Sequence, residues 1–583
     1  MPDTRSPKAA LAGLRTRIRE SLASDLRAAV IVTVMLVPQS LAYAQLAGLP
    51  AIHGVYASVA PLVAYALFGS SRVLSVGPVA IISLMTASAL ATVAVPGTPE
   101  YVAAAGLLAL VSGLLMVVMG AARLGVIATL LSHPVMVGFV SASGVLIAAG
   151  QIRHVFGVGG GGGETLQALV ASLIGNIAQT NLSTLAVGAA ALAWLAWSRR
   201  GLDPLLRRSG LGASAAASIS KAAPLVAVGA GIAAVAIFGL DSRGVAVVGH
   251  LPAGGLPLTA PPLDAALVAA LLPSAALIAL VGFVESVSVG QTLAARRRQR
   301  VDPDRELSGL GAANVAAAFT GGFPVTGGFA RSVVNADAGA ETQAAGLLTA
   351  AGMLLAAALL TPLLALLPQA VLAATIIVAV LGLVDFGAIR HVYAYSRADF
   401  SAMAVTMGVV AGVGVEAGIA AGILVSLLMF LWRTARPHIA VVGLVPGTQH
   451  FRNVLRHRVV DSATVLTVRI DMSLYFINAR YLEDRVFELA LARPQTRHVV
   501  LMCSAVNFID ASALDGLVSL MERLRAAGIA LHLSEVKGPV MDRLDGTSLI
   551  KGLTGRVFLS QYDAFAALDP AAVRDGVVNI DRP

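Results

Sequence analysis

Gly321-Gly322-Phe323-Pro324-Val325-Thr326-Gly327-Gly328-Phe329-Ala330-Arg331-Ser332 breaks an apolar region with glycines and a proline, then adds a fixed positive charge. The apolar segment it opens, 326–338, is too short for a straight crossing of about 20 residues. A second stretch of this kind, Gly77-Pro78-Val79-Ala80, opens the segment 77–95. Each reads as the start of a half-helix partway across a membrane. The first amide N–H groups of a helix lack partners and carry partial positive charge, so two facing starts would form an anion site. Pro78 suits a first-turn position, where its missing N–H costs nothing. The plainer alternative is that these glycines and prolines are packing points and turns. Arg331 weighs against it, because a guanidinium stays charged and is costly in a bilayer unless it meets water, an anion or a carboxylate such as Asp337 or Glu285.

The rest of the composition agrees with a membrane setting. The 583 residues are 57% hydrophobic and 13% charged, against roughly 45–50% and 25% in an ordinary soluble protein. The charge is uneven: residues 437–583 alone hold 16 Lys/Arg and 15 Asp/Glu. Lipid is the expected solvent for the front of the chain and water for its tail. Most of the net charge of +9 falls in the loops of the apolar part, which argues for a positive-inside bias and against nucleic-acid binding. A single cysteine, Cys503, excludes a disulfide framework and a cysteine-rich metal site. No metal or cofactor is expected.

We expect about fourteen crossings: 28–47, 52–69, 77–95, 102–120, 124–140, 181–197, 223–240, 265–292, 306–321, 326–338, 343–366, 370–384, 399–414 and 416–434. The first residues are polar and basic (Lys8, Arg15, Arg17, Arg19) and run directly into an apolar stretch. That pattern predicts a cytoplasmic amino terminus without a cleavable signal. Loops after even-numbered crossings then carry Arg72, Arg123, the group Arg199, Arg200, Arg207, Arg208 and Lys221, the run Arg296, Arg297, Arg298 and Arg300, and Arg390 and Arg397. The odd loops offer little beyond Arg153 and Arg243. This asymmetry supports both the count and the orientation, and it returns the tail to the cytoplasm. The expected divisions are a cytoplasmic segment 1–26, a membrane domain 27–436 and a cytoplasmic domain 437–583. A shift of 246 residues lays Gln39-Ser40 on Glu285-Ser286 and Pro78-Val79 on Pro324-Val325, as a seven-plus-seven repeat would.

Further side chains could serve a solute. Gln39 and Tyr43 stand four residues apart on one helix face and offer amide and phenol donors to one cavity, unless a neighbouring helix satisfies them. Glu285, alone among apolar residues of its crossing, is a candidate coupling residue that gains and loses a proton, or else a structural tie to an arginine. In the tail, Val499–Val506 and Ile529–Val536 read as strands around a helix with apolar residues at Leu514, Leu517, Val518, Met521 and Leu524, which indicates a small α/β domain. Ser512, near that helix start, reads as a plain N-cap or as a phosphate acceptor.

Pro38-Gln39-Ser40-Leu41-Ala42-Tyr43-Ala44, Ser75-Val76-Gly77-Pro78, Glu285-Ser286, Arg331-Ser332 with Asn335, and Leu474-Tyr475-Phe476-Ile477-Asn478-Ala479 together resemble the SulP family, sulfate permeases and related anion transporters with a carboxy-terminal STAS domain. The resemblance spans nearly the whole chain. It implies an α-helical polytopic membrane protein of fourteen segments in two inverted repeats, divided into core and gate domains, often a homodimer, followed by a cytoplasmic α/β STAS domain. It also implies an anion held between the starts of the third and tenth segments by Gln39, Tyr43, Val79, Ala80, Ala330, Arg331 and Ser332, with elevator-like movement of core against gate. Family substrates include sulfate, bicarbonate, chloride, oxalate and C4-dicarboxylates. Glu285 resembles the carboxylate of proton-coupled sulfate members, which favours sulfate–proton symport at the inner (plasma) membrane. Ser512 resembles the phosphorylated serine of anti-sigma-factor antagonists, although Ala511 and Ala513 depart from that motif. An anion channel or passive exchanger of the same fold, and a membrane scaffold or sensor that recruits a cytoplasmic partner through its STAS domain, are the alternatives.

Overall fold

The computed structural model describes residues 7–129, 132–159, 163, 165–213, 216, 219–220, 222–249 and 255–578. Lys221 and the start of the 1–26 segment lie outside the described residues. Two compact units emerge, Met1–Ser426 and Leu427–Pro583.

The first unit is helical. Its helices are α1 (Pro7–Leu46), α2 (Ile52–Phe68), α3 (Ala80–Ala91), α4 (Pro99–Ala121), α5 (His133–Phe156), α6 (Leu166–Asn176), α7 (Leu182–Arg208) and α8 (Ala223–Phe238). After these come α9 (Ala265–Arg296), α10 (Pro303–Phe319), α11 (Phe329–Asp337), α12 (Ala344–Leu364), α13 (Gln369–Leu381), α14 (Phe386–Tyr395) and α15 (Arg397–Gly412), while α16 (Val415–Ala435) runs on into the second unit. Their starts follow capping chemistry. Thr98 accepts the Tyr101 amide ahead of Pro99, Asp264 accepts that of Ala266, and Asp302 accepts those of Asp304 and Arg305 ahead of Pro303.

Among the described residues, six helical stretches are long and apolar enough to cross a membrane by length and composition: Ser21–Leu46, Pro99–Ala121, His133–Phe156, Ala265–Arg296, Gln369–Tyr395 and Val415–Ala435. Helices also stand at the other expected places: α7 and α12 are 27 and 21 residues long, and α2, α3, α8, α10, α11 and α15 are shorter. The fifth is displaced: 124–140 was expected, but Leu124–Thr129 is a 3₁₀ turn and the helix runs His133–Phe156. Pro134 stands in the first turn, where its missing N–H costs nothing, and the chain stays helical until Gly157 turns left-handed at φ 64°. Helices α6 and α14 have no counterpart among the expected crossings.

Close backbone contact binds α4 to α10. A Cβ on Gly113 would lie 2.8 Å from the Gly311 carbonyl oxygen, and one on Gly311 would lie 2.7 Å from that of Gly113. Only glycine at both positions permits this approach. Two-residue strands β1 (Val76–Gly77) and β2 (Thr326–Gly327) pair antiparallel, Val76 opposite Gly327 and Gly77 opposite Thr326.

The second unit is the α/β domain expected of the tail. Strands β3 (Ile439–Leu444), β4 (Phe451–Asn453), β5 (Val465–Ile470), β6 (His498–Met502), β7 (Ala530–Ser534) and β8 (Val557–Phe558) form one sheet in the order β4-β3-β5-β6-β7-β8. Strands β5 to β8 are parallel, and β3 is antiparallel to both its neighbours. Helices α17 (Phe476–Leu491) and α18 (Ala511–Ala526) bury Leu482, Val486, Leu517 and Leu520 with Val499, Leu501 and Leu531 of the sheet. Burial on both faces explains the continuous apolar run Val499–Met502 of β6, whereas β7 interrupts its apolar residues with His532 and Ser534, both buried and hydrogen-bonded. Ser512 is not the N-cap: Asp510 takes that place, accepting the Ala513 amide at 2.8 Å and that of Phe476 at 2.7 Å. A carboxylate meets the helix dipole better than a hydroxyl, and Ser512 is left exposed one residue into the helix.

Candidate anion-binding site

Strands β1 and β2 run into the two short helices. Pro78 and Val79 separate β1 from α3, and Gly328 alone separates β2 from α11. Pairing of the strands therefore brings the two helix starts together: a Cβ on Gly328 would lie 3.1 Å from Cγ1 of Val79. In each first turn the amides have no intrahelical acceptor and carry the positive end of the helix dipole.

Arg331, one turn into α11, is 2% exposed. Its guanidinium lies in a space that only glycine leaves open, with Nη1 2.8 Å from where a Cβ on Gly77 would stand and Nε 2.9 Å from one on Gly328. Neither Nη1 nor Nη2 has a hydrogen-bond partner among the described residues. The structural pairing with Asp337 or Glu285 considered from sequence is thus not made. Tyr43 and Glu285 lie within electrostatic reach of Arg331, and Oε2 of Glu285 is buried without a hydrogen-bond partner among the described residues.

The surroundings hold this geometry rigidly. Ser332 accepts the Ser75 amide at 3.0 Å, the Gly328 amide donates to the Ser75 carbonyl at 3.1 Å, and the Asn335 side chain donates to the Val73 carbonyl at 3.0 Å. On the other side the Gly327 amide donates to Ser286 Oγ at 2.9 Å. Thr326 donates to the Gly282 carbonyl at 2.6 Å, which leaves the Ser286 hydroxyl as donor to Thr326 across 2.7 Å. Asn314 of α10 pairs with both backbone groups of Val325, its Nδ2 donating and its Oδ1 accepting at 2.9 Å. Arg297, read from sequence only as an orientation signal, donates to the Ala336 and Ala340 carbonyls and caps the far end of α11.

Of the side chains expected here, Gln39, Tyr43 and Ala330 line one cavity of about 460 Å³. The side chains of Gln39 and Tyr43 have no hydrogen-bond partner among the described residues, so no neighbouring helix satisfies them. Val79, Ala80, Arg331 and Ser332 are buried and do not line that cavity. Glu285 is apart from them in the cavity sense: it lines a different space of about 590 Å³.

Glu306 was missed. It is fully buried on α10 and accepts from the Tyr65 hydroxyl (2.7 Å), the Ser70 hydroxyl (2.6 Å) and the Ser70 and Ser71 amides (2.9 Å each). These contacts anchor the turn that leads into β1. Glu306 follows Asp304 and Arg305 in the polar first turn of its helix, so the sequence carries no mark that sets it apart as buried.

The sulfate permease family model matches residues 22–406, and the STAS domain model matches residues 457–564. A probable sulfate transporter of Arabidopsis thaliana, 4.2, is 34% identical over 553 residues, 93% of this chain and 80% of the relative. A probable sulfate transporter of Mycobacterium tuberculosis is 33% identical over 534 residues, 91% of this chain and 92% of the relative. Among solved structures, a murine solute carrier 26 family member A9 anion transporter in the inward-facing state has the same fold, with TM-score 0.85 at 21% identity, covering 94% of this chain and 92% of that one. The transmembrane domain of a cyanobacterium bicarbonate transporter aligns with TM-score 0.57 at 21% identity, covering 70% of this chain and 96% of that one.

Proposed function

The chain belongs to the sulfate permease family, and from that premise we propose that it is a secondary active transporter of an inorganic anion, most readily sulfate, moved together with protons and without covalent change. The observation that carries this reading is Arg331: a buried guanidinium whose Nη atoms have no hydrogen-bond partner among the described residues, set between two paired helix starts. Such a group is stabilised by an anion that brings its own negative charge into the space. Gln39 and Tyr43 supply further donors from the adjoining cavity. Sulfate is favoured because the relatives at 33–34% identity carry that substrate in their names.

Glu285 is the coupling residue in this reading. Its proton changes the field at Arg331, which lies within its electrostatic reach, so loading with anion and loading with proton favour one another. The core comprises α1–α4 and α9–α12, and the gate α5, α7, α8, α13, α15 and α16, in fourteen crossings arranged as inverted repeats. The antiparallel β1–β2 pair, each strand followed by a short helix, supports that relation. The core slides against the gate in an elevator movement. The molecule works as a homodimer in the plasma membrane, with the amino terminus and the 437–583 domain in the cytoplasm. There the STAS domain offers a face to a cytoplasmic partner, with Ser512 as a phosphorylation site.

Uptake of labelled sulfate into proteoliposomes under an imposed acid gradient tests the reading, with bicarbonate, chloride, oxalate and succinate as competitors. Gradient-driven accumulation inhibited best by unlabelled sulfate is expected. Uptake indifferent to the gradient would make the protein a passive exchanger or channel, and stronger inhibition by another anion would reassign the substrate.

A further inference from the structure

Two cavities flank α11, and their walls differ in charge. Phe329 belongs to the 590 Å³ space and Ala330 and Val334 to the 460 Å³ space; Leu383 alone lines both. Both are bounded by helix ends next to the arginine-bearing loops assigned above to the cytoplasm.

The larger space carries acids. Glu285, Asp304 and Asp385 line it together with the imidazole of His133, and no lysine or arginine does. Asp304 is fixed by the Gly125 amide at 2.7 Å, and Asp385 by that of Ala388 at 2.8 Å. Among the described residues, the smaller space has two charged residues in its wall, Arg199 and Asp203. Asp203 is already paired with Arg207 at 2.9 Å. Arg199 has neither hydrogen bond nor ion pair among the described residues, and its Nη1 lies 2.9 Å from where a Cβ on Gly382 would stand, beside Leu383. Arg331 lines neither space.

A cleft walled by one sign of charge concentrates ions of the other sign and excludes its own. An oxyanion is therefore repelled from the acidic space and drawn to the one with the free guanidinium, where Gln39 and Tyr43 also wait. Protons need carriers rather than room, and the acidic space provides them as a set of carboxylates and an imidazole ending at Glu285. The titratable groups around Glu285 are Tyr43 of α1, Arg331 of α11, Asp304 of α10, His133 of α5 and Asp385 ahead of α14. Helix α3 has none, and on α4 they are confined to Glu100 and Tyr101 at its start.

We propose that anion and proton reach the site by separate routes, the anion through the Arg199 cavity and the proton through the acidic one, converging on Arg331 along different faces of α11. This rests on the proton-coupled reading. Full-length Ala379→Cys, in the wall of the anion route, and Ser288→Cys, in the wall of the proton route, test it in proteoliposomes with a membrane-impermeant cationic thiosulfonate on the cytoplasmic face. Val378→Cys and Val140→Cys replace either variant that lacks uptake before modification. The one native thiol, Cys503, is buried and pushed up to about 12 by that burial with help from Glu535, so it stays unreactive.

Saturating sulfate is expected to slow modification several-fold at Ala379→Cys and to leave the rate at Ser288→Cys unchanged. Modified Ser288→Cys is expected to lose stimulation by the acid gradient while keeping gradient-free sulfate exchange. Protection at both positions or at neither overturns the separate anion route. Equal loss of exchange and of gradient-driven uptake after modification of Ser288→Cys overturns the separate proton route. Wild-type uptake that ignores the gradient refutes symport and the proton route with it, while the protection pattern still decides the anion route, so the two failures are told apart.

Discussion

Nη1 of Arg331 lies 2.8 Å from the point a Cβ on Gly77 would occupy, so the backbone of one helix start forms the floor under a charge borne by the other. Gly77 also has φ 155°, a conformation that side-chain-bearing residues rarely adopt. Gly77→Ala should displace the guanidinium and weaken sulfate binding roughly tenfold or more, the added strain being on the order of 1–3 kcal/mol. Gly106→Ala, where the nearest atom is 3.5 Å away, should leave it unchanged. A sulfate titration of the purified protein checks both, and normal binding by Gly77→Ala would remove Arg331 from the site.

Arg331→Gln keeps part of the volume and hydrogen bonding but removes the charge. Hydrogen bonds to charged groups contribute about 1.5–3 kcal/mol, so affinity should fall roughly tenfold to a hundredfold. Arg331→Lys should recover only part of it, because an ammonium cannot reproduce the planar fork lying between Gly77 and Gly328. Equal affinity for the lysine and arginine forms would indicate a charge acting at a distance.

Glu285→Gln fixes the side chain in a neutral form of nearly the same shape. Acid-driven accumulation should disappear while sulfate binding and gradient-free exchange persist. Uptake by this variant that still follows the pH gradient would place coupling elsewhere.

In the STAS domain, His532 is 4% exposed. Its Nδ1 accepts the Arg556 amide at 3.0 Å, and its Nε2 faces Nδ1 of His498 at 3.1 Å. Burial, with the neighbouring His498 and Arg556, lowers its pKa from 6.5 to about 4. Between those values the unfolded chain takes up a proton that the folded domain refuses, so this contribution to stability is complete above pH 6.5 and is lost as pH falls toward 4. Hydrogen exchange of β7 and β8 in the full-length protein, corrected for intrinsic rates, should show protection declining over that window, with a shallower decline in His532→Gln. Equal slopes would assign the loss to other groups.

Asp510→Ala removes the N-cap of α18 and the acceptor for the Phe476 amide that opens α17. A lost cap alone costs about 0.5–2 kcal/mol, and both helix starts should lose exchange protection together. Ser512→Asp should not stabilise α18, because the Asp510 carboxylate already occupies the positive end of its dipole. Increased protection of residues 511–515 in Ser512→Asp would mean that the helix start welcomes a second negative charge.

The broken helices were legible because glycine and proline inside short apolar segments leave few other structures possible in lipid, and the marking charge, Arg331, stands beside one of them. The α/β tail was readable from two short apolar-rich strands on either side of an amphipathic helix. The fifth helix was misplaced because hydropathy alone does not say which side of Pro134 the helix occupies. Strands of two residues such as β1 and β2 have no period to detect. The division of Gln39 and Glu285 between two cavities depends on α5, α7 and α13, which no spacing within α1 or α9 reveals. The N-cap reading of Ser512 failed because Asp510, two residues earlier, takes the amide an N-cap would accept.

Pairing of Val76 with Gly327 means that the proposed anion pocket has no existence in the amino-terminal half of the chain. During synthesis the first strand must wait for roughly 250 further residues, on the order of ten to fifty seconds at ordinary ribosomal speed, with its backbone groups unanswered. A contact of such long sequence separation forms slowly, so interrupted translation or cleavage between the halves should release membrane-inserted fragments with no affinity for the solute.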